Sequence, residues 1–308
     1  MPKVSAMRRM TTTLALLGTG LLPREPGAAP AAGFPRTITD AAGRPVRIAA
    51  PPQRIVTIFP SNVEIAFALG LGDRVVAIGG RVRWPEAAMH KPSVGGALGY
   101  SAEALAAHRP DLVILTPSHH SALGLVDAFT RLGVPVLVLA HPDLPAVLRN
   151  LALVGRATGA DEQAERTAAA FRARLEAVRA QWAGRPMPTV YLETAAAARG
   201  AFQTIGTGHY ASDALAWAGG RNVFADLQGS VQVSAEAIAL RDPEVIVSLQ
   251  QRPGPPDAVG ARPGWSRLAA VRAGRVVVLP RGHALIPGPR QIEAVEQYAR
   301  ALHPEAFG

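Results

Sequence analysis

Three places in the sequence gather residue types that could do chemistry. His119-His120 is a pair of imidazoles, and imidazole nitrogens suit transition metals. On an extended segment successive side chains diverge, so two neighbours rarely aim at one ion. No Asp or Glu follows at a spacing that would complete a zinc site. Gly206-Thr207-Gly208-His209-Tyr210-Ala211 matches G-x-G-x-x-A, with Asp226 twenty residues after Gly206, the pattern of a dinucleotide fingerprint. That fingerprint needs a strand running straight into the glycines. The nearest clear apolar run ends near Leu192, so the glycines read as a loop that carries His209 and Tyr210. Trp84 stands beside Arg81 and Arg83. A flat ring with guanidinium groups suits a large anionic chelate, through apolar contact and charge pairing, and equally suits a solvated loop.

Covalent chemistry finds little support. There is no G-x-S-x-G and no cysteine, which removes a thiolate nucleophile, a Cys-ligated zinc and disulfides. Carboxylates are plentiful, but no spacing pairs two of them as acid and base. No cofactor of its own is expected, and an exported metal-binding α/β enzyme using His119 and His120 stands as one alternative.

The elements that must position these residues are strands and helices in alternation. Ile55–Phe59, Val75–Ile78, Leu112–Leu115 and Val134–Leu139 are continuously apolar, as are Thr189–Leu192, Val245–Ser248 and Val276–Leu279. Unbroken apolar runs of this length are the mark of parallel strands covered on both faces. Helices are expected at Asn62–Leu69, Ala102–His108, Asp127–Leu132, Ala211–Trp217, Ala235–Leu240 and Gln291–Leu302. Between the two series, Ala164, Ala168, Phe171, Leu175, Val178 and Trp182 recur at alternating spacings of four and three. They form one stripe on a long helix over Ala160–Trp182. The fold class is α/β, two similar lobes with mainly parallel sheets joined by that single helix. The expected boundaries are 33–158, 159–183 and 184–308.

A repeat supports the two-lobe reading. Residues 101–114 read SAEALAAHRPDLVI and residues 234–247 read SAEAIALRDPEVIV, with six of fourteen positions identical. Each copy sets a Ser at a helix N-cap, a Glu two residues later, a Pro that ends the helix and an apolar strand. One copy precedes the long helix and one follows it.

Residues 1–32 read as a secretory signal: Lys3, Arg8 and Arg9, then the uncharged Met10–Leu22, then the small residues Ala29-Pro30-Ala31. No later segment offers 18 uninterrupted apolar residues, so a soluble protein is expected after export. The formal charge of +9 comes from scattered arginines. With only 5% aromatic residues, a base-stacking platform is absent and nucleic acid is not the expected partner.

The stretches RIVTIFPSNVEIAFALGLGDRVVAIGG (54–80), SAEALAAHRPDLVIL (101–115), ALAWAGGRNVFAD (214–226), VSAEAIALRDPEVIV (233–247) and GPRQIEAVEQYARALHP (288–304) resemble periplasmic substrate-binding proteins of ABC importers for iron chelates, haem and vitamin B12. The resemblance implies a ligand held between the lobes near strand C-termini, where open α/β sheets also place ligands on general grounds. It implies a permease and ATPase complex as partner, with Glu103 and Glu236 pairing with permease arginines. A carboxylate in a first helical turn is also stabilised by the helix dipole alone. Cleft candidates are Arg83, Trp84, Tyr100, His119, His209, Tyr210 and Gln250, with Arg81, His120, Arg252 and His283 beside them. Haem-binding members tend to carry a Tyr ligand where this chain has Gly96, which disfavours haem, and the basic charge favours an anionic ligand over neutral cobalamin, so a ferric siderophore-type chelate is expected. The protein is expected to be a monomer, free in the periplasm and without a lipid anchor, because it has no cysteine to acylate.

Overall fold

The computed structural model describes residues 33–95, 99–117, 120–196 and 201–307. The signal-like segment 1–32, Gly96 and His119 lie outside the described residues. Every apolar run forms a strand. A short antiparallel hairpin, β1 (Arg36–Thr39) and β2 (Pro45–Ile48), comes first. Then β3 (Ile55–Thr57) leads into α1 (Pro60–Ala68), β4 (Val75–Gly79) into α2 (Glu86–Met89) and β5 (Ser93–Val94). Helix α3 (Ala102–Ala106) feeds β6 (Leu112–Leu115), and α4 (His120–Arg131) feeds β7 (Val136–Val138). These last five strands form one parallel sheet in the order β5-β4-β3-β6-β7. The hairpin is fastened to its edge where Ala41 N–H donates to the Val138 carbonyl at 3.0 Å.

Helix α5 (Ala146–Thr158) and the 22-residue α6 (Asp161–Trp182) come next. The expected stripe is realised: Ala164, Ala168, Phe171, Leu175 and Val178 are buried. Trp182 is half-buried, its Nε1–H donating to the Trp217 carbonyl at 3.0 Å. Helix α5 was not foreseen. It packs closely on α6, and a Cβ at Gly155 would stand 2.6 Å from the Ala164 Cβ, so only glycine permits the approach.

The second lobe holds β8 (Thr189–Glu193), β9 (Ala195–Ala196), β10 (Ala201–Ile205), α7 (Tyr210–Trp217), β11 (Arg221–Asn222), β12 (Ser230–Ser234) and α8 (Ala235–Arg241). After these come β13 (Val245–Gln250), α9 (Pro256–Gly260), α10 (Ala269–Arg272), β14 (Val276–Pro280), α11 (Arg281–Ala284) and α12 (Gln291–Leu302). A parallel sheet runs β11-β8-β13-β14. A small antiparallel sheet, β12-β10-β9, lies beside it. The architecture is two α/β lobes with mainly parallel sheets, joined through the long helix. No helix among the described residues is long and apolar enough to cross a membrane.

Candidate functional site

The carboxyl ends of β3, β6 and β7 converge on one buried polar knot. Asn62, fully buried at the start of α1, donates through Nδ2 to the Ile58 carbonyl at 2.7 Å and to Thr116 Oγ1 at 3.1 Å. His141, just past β7, sets Nε2 at 3.2 Å from Asn62 Oδ1 and 3.3 Å from Ser61 Oγ. Its Nδ1 lies 3.1 Å from Asn150 Nδ2, which can only donate. Nδ1 is therefore the acceptor, and the proton sits on Nε2. Burial pushes His141 down to about 4, against an opposing backbone hydrogen bond with Pro287 of the second lobe. The ring is neutral at physiological pH.

The two lobes meet at this end. Arg290, at the entry to α12, donates through Nη2 and Nε to Glu64 Oε1 of α1 at 2.6 and 3.2 Å. Burial raises the Glu64 pKa while Arg290 opposes it. The Arg290 guanidinium also lies 4.8 Å from the centroid of the Trp84 ring, a cation–π geometry. Trp84 remains 47% exposed. Further along the seam, Leu144 N–H donates to Asp213 Oδ2 at 3.1 Å.

The second lobe presents its own buried ion pair at the end of β8. Glu193 is 1% exposed. It accepts from both terminal nitrogens of Arg262, from Nη2 at 3.0 Å, and from Ser248 Oγ at 2.7 Å. Ser248 Oγ accepts in turn from Gln250 Nε2 at 3.2 Å, and Gln250 Oε1 accepts from Gly254 N–H at 3.1 Å. The Arg262 guanidinium lies over Trp265 at 4.6 Å and Phe202 at 5.2 Å.

Several of the sequence-derived candidates are brought together. Tyr100 packs its ring 6.0 Å from Phe59, beyond the end of β3. Its hydroxyl reaches β4, 3.2 Å from where a Cβ on Gly79 would stand. Desolvation raises its pKa and nearby Arg81 lowers it. Phe59 (φ 80°) and Arg81 (φ 66°) both hold left-handed backbone angles, a strain that clusters at binding sites. Arg83 and Trp84 are exposed beside them. Gln250 stands at the matching strand end of the other lobe, and Arg252 follows it, exposed.

Other candidates are engaged by their own chain. His209 caps α7, with Nδ1 accepting from Ala211 N–H at 3.2 Å. Burial lowers its pKa. The Tyr210 hydroxyl donates to the Leu285 carbonyl at 2.8 Å. His283 Nε2 lies 3.2 Å from Gln297 Oε1. His120 opens α4. Gly206 serves a close backbone approach: a Cβ there would fall 2.0 Å from the Leu227 carbonyl oxygen. Gly206 N–H donates to Gly229 and Thr207 N–H to Leu227, at 2.8 Å each. Those amides are thus spent on the neighbouring loop and are not free for a phosphate. Among the described residues, no group of three or more His, Cys, Asp or Glu could hold a metal ion.

The sequence repeat is also a repeat in space. Ser101 Oγ accepts from Ala104 N–H and Ser234 Oγ from Ala237 N–H, both at 3.2 Å. Ser101 Oγ also donates to Glu103 Oε2 at 2.6 Å. Glu103 and Glu236 are exposed, and each has its pKa lowered first by the capping serine. Arg109 (φ 46°) and Asp242 (φ 36°), at equivalent positions, both turn left-handed where the helix stops. His141, Glu64, Glu193, Arg262 and Arg290 carry no local spacing that would single them out.

A periplasmic binding protein family model matches residues 55–281. An uncharacterized ABC transporter substrate-binding lipoprotein of Bacillus subtilis is 31% identical over 281 residues, 89% of this chain and 87% of its own. The crystal structure of the periplasmic vitamin B12-binding protein of Vibrio cholerae superposes with a TM-score of 0.71 at 27% identity, covering 83% of this chain and 98% of that one. The structure from an ABC-type Fe3+-hydroxamate transport system of Saccharomonospora viridis gives 0.69 at 28%, covering 89% and 99%. The expectation of a protein free in the periplasm is overturned by the Bacillus relative, which is itself a lipoprotein. That expectation rested on the lack of cysteine, and the absence of one residue type does not carry a location. The matched family is one of solute-binding transport proteins, not of enzymes, and this chain, matched across most of its length in sequence and fold, belongs to the periplasmic binding protein family.

Proposed function

We propose that this chain is the substrate-binding component of an ABC importer, which holds one metal chelate of ferric-siderophore type between its lobes and acts as a monomer. The observation that carries the reading is the pair of exposed, serine-capped glutamates, Glu103 and Glu236, one on each lobe at equivalent positions. The lobes themselves meet at strand ends through Glu64 and Arg290. Such a frame captures a ligand reversibly and offers one charged contact per lobe to a permease. No bond is made or broken, and the protein needs no resident cofactor.

The chelate assignment is supported by the exposed Arg81, Arg83 and Trp84 at the first-lobe rim and by the likeness to the Fe3+-hydroxamate transport structure. Cobalamin is the second reading, favoured by the likeness to the vitamin B12-binding protein of Vibrio cholerae. The test is a tryptophan-fluorescence and absorption titration with ferric hydroxamates and catecholates, cobalamin and hemin. Saturable one-to-one binding of a ferric siderophore is expected, with affinity retained in the Glu103→Ala/Glu236→Ala double variant and uptake into cells lost. Binding of cobalamin or hemin alone would overturn the chelate class. Loss of ligand affinity in the double variant would overturn the docking role.

A further inference from the structure

Arg290 spends only part of its hydrogen-bonding capacity on Glu64. A guanidinium is planar and presents N–H forks on more than one edge. Glu64 Oε1 takes the edge formed by Nε and Nη2. Among the described residues, Nη1 has no hydrogen-bond partner, so the fork that it forms with the second Nη2 hydrogen is unclaimed. The side chain is 22% exposed, and the closing lobes therefore do not seal it in. Trp84 covers one face of the group. With that face covered and one edge taken, an incoming acceptor approaches in the guanidinium plane, at the free fork.

The place of this fork is that of a ligand contact. Glu64 lies on the helix that follows β3, Trp84 in the loop that follows β4, and Arg290 beyond the short helix that follows β14. All three thus stand past the carboxyl ends of parallel strands, where open α/β sheets hold ligands. The base of Arg290 is fixed. Tyr210 ties down the Leu285 carbonyl. The next residue, Gln291, is buried, its N–H donating to the Gly288 carbonyl at 2.9 Å and its Nε2 to the Ala284 carbonyl at 3.2 Å. A Cβ on Gly288 would stand 2.6 Å from Glu64 Oε2, so glycine lets this loop press onto Glu64. A donor held on a fixed base loses little freedom when it binds.

We propose that the free fork of Arg290 is a ligand contact of the second lobe that reads an anionic oxygen edge, a carboxylate or catecholate, with Glu64 as its positioning residue and Trp84 as the wall that directs the approach. The cleft then selects, among ferric chelates, those with an anionic edge over neutral trihydroxamates. This rests on the chelate reading above and narrows it. Paired oxygens in one plane match a guanidinium fork, and the exposed Arg81 and Arg83 on the first lobe add potential of the same sign. Glu64 holds the fork in place, and its charge also opposes an incoming anion, so the two members of the pair affect affinity in opposite directions.

The experiment titrates the full chain by calorimetry with ferric dicitrate and ferric enterobactin, both anionic, and with ferrichrome, a neutral ferric trihydroxamate. The readout is the ratio of anionic to neutral affinity on one protein, since a merely loosened seam weakens both. Arg290→Gln alone strands the Glu64 charge. The comparison is therefore between Glu64→Gln and Glu64→Gln/Arg290→Gln, which leave no buried carboxylate at this position, with urea unfolding to confirm that each is folded. The natural chain is expected to prefer an anionic chelate. Glu64→Gln keeps the accepting oxygen and removes the opposing charge, and is expected to raise the ratio about three- to tenfold. Removing the fork as well is expected to lower it about ten- to a hundredfold from that level, the worth of a hydrogen bond to a charged group. Arg166→Gln, which removes the same charge from the exposed side of α6, is expected to leave the ratio where it was. A natural chain that binds ferrichrome as tightly as the anionic chelates would overturn the inference and leave the chelate reading standing. So would a ratio that does not fall between the single and the double variant. A fall in the ratio in Glu64→Gln would assign the pair to the seam alone. No binding of any ferric chelate would overturn the chelate reading and this inference with it.

Discussion

Replacing Arg262 by methionine is expected to destabilise the second lobe by about 3–5 kcal/mol, the usual consequence of stranding one partner of a buried ion pair. Glu193 is left 1% exposed with a charge and only the Ser248 hydroxyl to answer it. The guanidinium contacts with Trp265 and Phe202 are lost as well, although the methionine stem retains part of that packing. Glu193→Gln is expected to cost less, because an amide keeps hydrogen-bonding capacity without a desolvated charge. The double variant should recover part of the Arg262→Met loss, since removing both charges removes the stranded one. Urea denaturation of the three variants measures this. Strict additivity, or a loss below about 1 kcal/mol for Arg262→Met, would show that the pair is not the buried charge centre of the lobe. The network reaches the cleft candidate Gln250, so the same variants are expected to weaken ligand binding as well.

Acidification is expected to remove about 3 kcal/mol of folding stability through His141 alone. Its folded pKa is depressed to about 4, against an ordinary value near 6.5 in the unfolded chain. Above that value both states are neutral and the contribution is complete. Between about 6.5 and 4 the unfolded chain takes up a proton that the folded protein refuses, so stability falls. Below the folded pKa the loss levels off. The cause is geometric as well as dielectric. Protonation would put a hydrogen on Nδ1, facing the Asn150 amide that already donates to it, and that amide has its other hydrogen committed to the Ala140 carbonyl at 2.9 Å.

Glu64 and Asp213 have pKa values raised by burial, which acts in the opposite sense as pH falls. The informative quantity is therefore the stability difference between the natural protein and His141→Gln at each pH. That difference should be largest at pH 7 and shrink steadily towards pH 4. A difference that stays constant over this range would mean that His141 titrates normally.

Much of the fold is legible in the sequence because its signals are local. Unbroken apolar runs become parallel strands, since strands covered on both faces have no polar side to display. The stripe from Ala164 to Val178 becomes the buried face of α6, because 3.6 residues per turn fixes which side chains align. The Ser-x-Glu repeats become capped helix starts, because a serine hydroxyl reaches an amide three residues on. Helix α5 was also within reach: Val147, Leu151 and Val154 lie on one face and are buried.

The candidate site is different. Trp84, Tyr100 and Gln250 could be singled out by residue type and by their place after strands. The groups that tie the site together could not. Glu64 meets Arg290 across 226 positions, Glu193 meets Arg262 across 69, and His141 meets Asn62 across 79. The G-x-G-x-x-A pattern shows the converse, since its amides are spent on Leu227 and Gly229. The sequence by itself determined the apolar strands of the parallel sheets, the long helix, the repeat and its two glutamates, because each depends on contacts within a turn or a strand, whereas the β1-β2 hairpin and the antiparallel β12-β10-β9 sheet carry no such apolar run. Only the tertiary structure decided which charges are buried together, which amides are free and where the lobes touch, because those depend on how distant segments pack and on what water they exclude.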